Sequence, residues 1–333
     1  MSENKITLAH GSGGQLTHEL IKHLFVRYFA NPHLSRLTDA AVLSLPDLRV
    51  AMTTDSYVIR PLFFPGGNIG KLAVCGTVND LAVMGAKPLY LTCGLIIEEQ
   101  FDYETLEQIV ASMAHTARDA GVKIVTGDTK VIERGNGDGL FINTAGIGVC
   151  EYQFPPAIEI GDKIVINGTL GDHEIAVLSA RQNLGFDFEV ASDCAPLADL
   201  IVHVLKAHSS VKFMRDPTRG GLAMVLNEIV EEQPFGIALD ETEIPLKDAV
   251  RGICAVLGFD PLYLANEGKV VMVVNADDAP RLVDTMRAHP LGRDSRIIGE
   301  IVDAPQGMVY LRTTIGGKRI VDMPVGTQLP RIC

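Results

Sequence analysis

Between positions 69 and 85 the chain is apolar almost without interruption, and the pattern predicts one helix. A helix apolar on every side has to be buried. Asn79-Asp80 sits inside that run. An unpaired carboxylate is costly to bury, so Asp80 demands a purpose that an ordinary core helix does not supply.

Around this helix the sequence predicts a mixture of strands and helices. A glycine turn, Gly11-Ser12-Gly13-Gly14, precedes a helical stripe of Leu16, Leu20, Ile21, Leu24, Phe25 and Tyr28. Strands are predicted over 50–59, 89–98, 122–126 and 140–150, a turn at Pro65-Gly66-Gly67, and an amphipathic helix over 103–120. Pro155-Pro156 and Ile160-Gly161-Asp162 mark a domain boundary. Beyond it, strands are expected at 163–167, 270–275 and 297–302, a turn at Gly168-Thr169-Leu170-Gly171-Asp172, and helices at 173–184, 196–207 and 220–232. There is no regular βαβ beat, so the fold class is α+β. The expected organisation is a domain over 1–154, a second α+β domain over 155–316 and a mobile tail over 317–333. A length of 333 residues suits two domains. Trp is absent, so the core is aliphatic.

Net charge is −12 with no Lys/Arg-rich block, which excludes a basic nucleic-acid face. No signal-peptide core opens the chain and no stretch reaches membrane-span length, so the reading is a cytoplasmic protein that engages no membrane. The six cysteines are scattered without a Cys-x-x-Cys pair, against a zinc ribbon or thioredoxin-type site. Cys333 is the exception, a thiol on the final residue. The sixteen residues after Gly317 could span about 50 Å when extended, enough to cross a domain and enter a cleft.

Two nucleotide signatures nearly form and fail. In Gly66-Gly67-Asn68-Ile69-Gly70-Lys71-Leu72 the first P-loop glycine falls on Pro65, and Leu72 replaces the magnesium-binding hydroxyl. Gly135-Asn136-Gly137-Asp138-Gly139 lacks the third glycine of a dinucleotide loop. What remains is a set of acidic residues at strand ends and turns: Asp55, Asp80, Asp128, Asp216 and Glu267. Magnesium takes hard oxygen ligands, usually a few carboxylates with phosphate oxygens and water, and three aspartates from separate segments could supply them. Each has a plainer role open to it: Asp55 could start a turn, and Asp216 could cap a helix near Thr218. Arg215 and Arg219, placed before Gly220-Gly221 at a helix start, could hold phosphates or stand as solvated cations. Lys71, His10 and His18 are weaker candidates.

The motifs, in order, resemble the HypE family of hydrogenase maturation factors. They are Leu8-Ala9-His10-Gly11-Ser12-Gly13-Gly14, Thr54-Asp55-Ser56-Tyr57-Val58, the 64–72 run, Gly127-Asp128-Thr129-Lys130-Val131, Asp216-Pro217-Thr218-Arg219-Gly220-Gly221, Asn266-Glu267-Gly268-Lys269 and the terminal Pro330-Arg331-Ile332-Cys333. That family belongs with aminoimidazole ribonucleotide synthetase, selenophosphate synthetase and thiamine-monophosphate kinase, ATP enzymes without a P-loop. The resemblance implies N-terminal domains that pair across a homodimer into a β-barrel, a C-terminal α/β sandwich and a flexible tail. It implies that Cys333 receives a carbamoyl group from the carbamoyltransferase HypF. ATP would then drive its dehydration to a thiocyanate, and the cyanide would pass through HypC–HypD to the iron of [NiFe]-hydrogenase.

On that resemblance Asp55, Asp80 and Asp128 would hold Mg²⁺ on the triphosphate, assisted by Asn79, with Lys71 and Asp216 also at the nucleotide. Arg219 would stabilise the transferring phosphoryl group. Glu267 and Lys130 would be the candidate bases, unless they form only a structural ion pair. The tail would take two positions, out for loading and in for chemistry. A small-molecule kinase or synthetase of the same superfamily, or a non-catalytic thiol scaffold, are the competing readings. The terminal cysteine argues against the first, and the lack of metal-ligand spacing against the second.

Overall fold

A computed structural model describes residues 14–20, 22–23, 37–38, 41–45, 48–155, 157–182, 190–324 and 331–333. His10, Gly11 to Gly13 and most of the first helical stripe lie outside them, as do Pro156 and Pro330.

The first half runs α1 (Gln15–Leu20), β1 (Ala41–Leu45), β2 (Leu48–Tyr57), β3 (Phe63–Phe64), β4 (Gly67–Asn68), α2 (Ile69–Val83), β5 (Ala86–Glu98), α3 (Tyr103–Asp119), β6 (Lys123–Ile132) and β7 (Leu140–Cys150). The Pro65-Gly66 turn closes the small β3–β4 hairpin, and Asn68 caps α2 by accepting from the Gly70 and Lys71 N–H groups at 2.9 and 3.0 Å. The main sheet has the order β1-β2-β7-β5-β6, antiparallel except for the β5–β6 pair.

The all-apolar helix behaves as its sequence requires. α2 packs on β2, β7 and β5 with one side, and meets α3, α5 and β9 with the others. Ile69, Leu72, Val74, Val78 and Leu81 are fully enclosed. Each such side chain contributes about 1.5–3 kcal/mol relative to exposure. At Gly70 a methyl group would fall 2.4 Å from the Ile109 carbonyl, so only glycine permits this approach of α2 to α3.

The second half runs β8 (Lys163–Ile166), α4 (Asp172–Gln182), α5 (Ala198–Ala207), β9 (Val211–Arg215), α6 (Gly221–Val230), β10 (Gly236–Asp240), α7 (Asp248–Leu257), β11 (Val271–Val274), α8 (Ala279–Arg287), β12 (Arg296–Val302), β13 (Val309–Arg312) and β14 (Lys318–Ile320). Seven strands form a mixed sheet ordered β14-β13-β10-β12-β8-β11-β9. The α+β class is as expected. The tail, however, does not begin at 317: residues after the Gly316-Gly317 turn add β14 to the sheet edge, and Val321 is buried, its carbonyl accepting from Asn227 Nδ2 at 2.9 Å. Backbone pairing, not amphipathicity, orders this piece.

One hydrophobic cluster crosses both halves, joining α2 and α3 to Val165, Val204 and Met272. Asn79 adds a polar clasp at the same junction. Its Nδ2 donates to the Ala195 carbonyl at 3.1 Å and to the Glu267 carbonyl at 3.5 Å, and its Oδ1 accepts from the Leu197 N–H at 2.8 Å. These bonds give Asn79, expected at the nucleotide, a structural role at the junction. Asn79→Ala leaves buried backbone groups unpaired and should cost about 2–3 kcal/mol in urea unfolding.

Candidate active site

The chemistry-bearing motifs converge because loops from the second half are stitched to one another and laid on β2 and α2. Asn266 accepts from the Gly171 N–H at 2.8 Å and donates to the Pro217 carbonyl at 2.9 Å, tying its segment to the Asp216-Pro217-Thr218-Arg219 turn. Asp193 accepts from the Glu267 and Gly268 N–H groups, each at 3.1 Å, and from Lys269 Nζ at 2.8 Å. Burial would raise the Asp193 carboxyl, but Lys269 outweighs it and holds the group below the usual carboxylate range. A methyl on Gly268 would lie 1.9 Å from the Asp193 carbonyl. In Asn-Glu-Gly-Lys, three residues thus build the scaffold and one, Glu267, is presented.

Glu267 faces a cavity of about 260 Å³ shared with Asp55, Asp80, Asp216, Arg219 and Cys333. Asp80 resolves the paradox of its helix: it stands half-buried on the cavity wall, where Thr53 Oγ1 donates to it at 2.7 Å. Tyr57 donates its hydroxyl to Asp55 at 3.1 Å. Burial, then the Asp55 charge, holds the Tyr57 phenol protonated well above its usual range. Gly76 makes room for that ring, since a methyl there would lie 2.3 Å from the hydroxyl. Thr77, Thr144 and the Ala73 carbonyl continue the polar path at 2.5 and 3.0 Å.

Glu267 is enclosed, and its Oε1 lacks a hydrogen-bond partner among the described residues. Burial first, then Cys194, Asp216, Asp193 and Asp55, pushes its carboxyl well above the usual value. The Cys333 thiol is pushed up to about 12 by burial, with Arg219 opposing and Glu267 and Asp55 adding to the rise. Arg219 in turn is held more firmly protonated by Cys333 opposite it. A thiol so protonated is a poor nucleophile. In this position Cys333 is poorly suited to act as a nucleophile.

The chain end lies against the extended segment 58–60. Val58 N–H donates to the Cys333 carbonyl at 3.2 Å and Arg60 N–H to the Arg331 carbonyl at 3.3 Å, while the Ile332 side chain is buried.

Other expected site residues lie elsewhere. Lys71 donates to the Gly66 carbonyl at 2.9 Å, outside the cavity lining. Arg215 pairs with Glu228, and His18 sits beside Glu231. Asp128 and Lys130 pair with each other at 2.7 Å, both well exposed. They occupy the body of β6, not a turn leaving it. The register runs Ser56–Asn143–Gly94–Asp128, so Asp128 shares the face of Ser56, opposite to that of Asp55. Successive residues alternate faces, and three strand spacings separate β2 from β6 by about 14 Å. Among the described residues, no group of three or more acidic, histidine or cysteine side chains is gathered to hold a metal. The trio Asp55, Asp80 and Asp128 is therefore not assembled within one chain, and Lys130 does not reach Glu267. Strand order and facing, which decide this, leave no mark in residue spacing.

The sequence reading missed His173 and Asp193. Nothing in their local pattern distinguishes them, and both matter through partners far along the chain.

Relatives share this fold. Residues 37–150 match the AIR synthase related protein N-terminal domain, and residues 159–312 match its C-terminal domain. The carbamoyl dehydratase HypE of Bradyrhizobium diazoefficiens is 51% identical over 98% of this chain and 96% of its own length. The crystal structure of a HypE–HypF complex superposes with a TM-score of 0.86 at 48% identity, covering 92% of this chain and 99% of that one. A HypE crystal structure in complex with ATP gives 0.82 at 46% identity, covering 99% and 100%. The chain belongs to the carbamoyl dehydratase HypE family, within the AIR synthase related proteins.

Proposed function

We propose that this chain is an ATP-dependent dehydratase that carries its substrate on Cys333, converting an S-carbamoyl group to S-cyanide. The observation that carries this reading is Cys333 itself, docked beside Glu267 and Arg219 in a carboxylate-lined cavity. ATP use is supported by the ATP complex of a relative 46% identical. The balance is simple. ATP takes up the carbamoyl oxygen, which leaves as phosphate, and the nitrogen gives up both protons as the nitrile forms.

The residues present fit a magnesium nucleotide. Asp55 from β2 and Asp80 from α2 line one cavity, two carboxylates that would hold Mg²⁺ together with the nucleotide's phosphate oxygens and water rather than through a full protein ligand set. Arg219, at the start of α6, is placed to neutralise a phosphoryl group. Glu267 is the proton acceptor for the carbamoyl nitrogen. Its raised pKa makes it a stronger base than a solvated carboxylate.

Partners follow from accessibility. Docked Cys333 is half-buried and its thiol stays protonated, so loading by a carbamoyltransferase such as HypF happens with the tail out. Delivery to a HypC–HypD acceptor follows the same movement. The complex of a relative with HypF supports the first step. All six cysteines are free, which suits a reducing cytoplasm.

The outer face of the main sheet argues for a homodimer. Met52, Ile147 and Tyr90 stand side by side in register on β2, β7 and β5, each more than a third exposed. Contiguous exposed apolar surface of this kind marks an interface. Asp128 and Lys130 share this face, so in a barrel-closing dimer they belong to a site completed by the second chain. Met52→Lys should turn a dimer into a monomer in analytical ultracentrifugation. A parent protein that sediments as a monomer would refute the pairing.

The decisive assay follows carbamoylated protein with ATP. ADP, phosphate and a mass loss of one water at the Cys333 peptide are expected together. ADP release without that mass loss would favour a kinase acting on a free substrate. Cys333→Ala should abolish thiocyanate formation while leaving nucleotide binding intact.

Glu267→Gln should slow dehydration by about a hundredfold or more. Its effect on stability has the opposite sign. The folded carboxyl titrates well above its ordinary 4.5, so in the parent this group contributes stability that is fully present below that value. The contribution is lost as pH rises toward the folded pKa. The variant's melting temperature should accordingly fall less than the parent's between about pH 5 and about pH 8.

A further inference from the structure

The segment Arg331-Ile332-Cys333 is gripped at three points by residues that take no part in the chemistry. The glycine loop 135–139, which fails as a nucleotide motif, is pinned by Glu98, whose carboxylate accepts from the Gly135 and Gly139 N–H groups. The loop turns Asp138 toward the chain end, where it pairs with Arg331 and, at 3.4 Å, with Arg60. Arg181 on α4 donates from Nη2 to the Arg331 carbonyl at 2.8 Å and to the Arg60 carbonyl at 2.7 Å.

The third contact is buried. Ser192 Oγ accepts from the Cys194 N–H at 3.0 Å, which directs its own proton to His173 Nδ1 at 2.8 Å. The histidine proton is then on Nε2, which donates to the Ile332 carbonyl at 2.9 Å. Burial lowers the His173 pKa, which keeps the ring neutral in this tautomer. Phe64 meets the ring edge-on at 5.3 Å.

We propose that His173, Arg181 and Asp138 are positioning residues that dock this segment and set how much of the time Cys333 occupies the cavity. The proposal rests on Cys333 being the substrate carrier. The three contacts are unequal. Asp138 and Arg331 form a surface pair, with side chains 16% and 44% exposed, and such pairs contribute little. Loss of His173 leaves the Ile332 carbonyl unpaired beside a buried side chain, and Arg181 supplies charge-assisted bonds, both of which weigh more.

The test alkylates the full-length protein with iodoacetamide and follows the Cys333 peptide by mass spectrometry. His173→Phe and Arg181→Met should each raise the alkylation rate about tenfold or more, and Asp138→Asn by less than about threefold. Dehydration of the carbamoylated variants should fall in the same order, with nucleotide affinity unchanged. Arg181 is half-buried on a helix surface, so its variant keeps the test open if His173→Phe does not fold. Alkylation at the parent rate in Arg181→Met and in folded His173→Phe would overturn the proposal, as would a larger effect of Asp138→Asn. Accelerated alkylation in the stated order, with a carbamoylated parent that yields no thiocyanate, would uphold the docking and overturn the carrier reading instead.

Discussion

Everything at the site hangs from the burial of α2. A helix enclosed by a sheet on one side and by α3, α5 and β9 on the others is a rigid reference. Asp80 and Gly76 line the cavity from it, and Asn79 clasps the loops that carry Glu267 and Cys194. Without α2 sandwiched between the halves, the carboxylates of the first half and the Arg219 and Glu267 of the second would have no common frame.

The cavity concentrates negative potential. Among the described residues that line it, Asp55, Asp80, Asp216 and Glu267 face one guanidinium, that of Arg219, and burial first, then the neighbouring Cys194 and acids, pushes the Glu267 carboxyl well above its ordinary pKa. Such a surplus is costly in isolation. The proposed magnesium nucleotide would relieve that surplus. The same surroundings push the Cys333 thiol up to about 12, so under the proposed function loading and dehydration use different positions of one short segment.

Much of this was legible in the chain. The apolar run with Asp80 inside it announced a buried helix and a carboxylate in need of a polar setting, which the cavity wall and Thr53 supply. The acidic residues at strand ends and turns marked five candidates, and four of them, Asp55, Asp80, Asp216 and Glu267, line one cavity. Asp128 is the exception. Its motif looks equivalent, but its strand lies three places from β2 and turns that side chain to the other face. The small hairpin, β14 and helices α7 and α8 carry weaker local patterns, because pairing and packing partners elsewhere stabilise them.

The sequence by itself determined which side chains are available for chemistry and which segments must be buried, because periodicity and residue type act locally. What a glycine makes room for is a matter of tertiary contact: Gly76 clears Tyr57, and Gly268 clears Asp193. Only the tertiary structure decided which acids share a cavity. Strand order and facing are products of long-range pairing, which also leaves Asp128 and Lys130 on an outer surface. It alone gave the glycine loop at 135–139 and His173 a purpose, since their partner is a carboxyl-terminal segment nearly two hundred residues away from Asp138 in the chain. Distance along the sequence carries no trace of that contact.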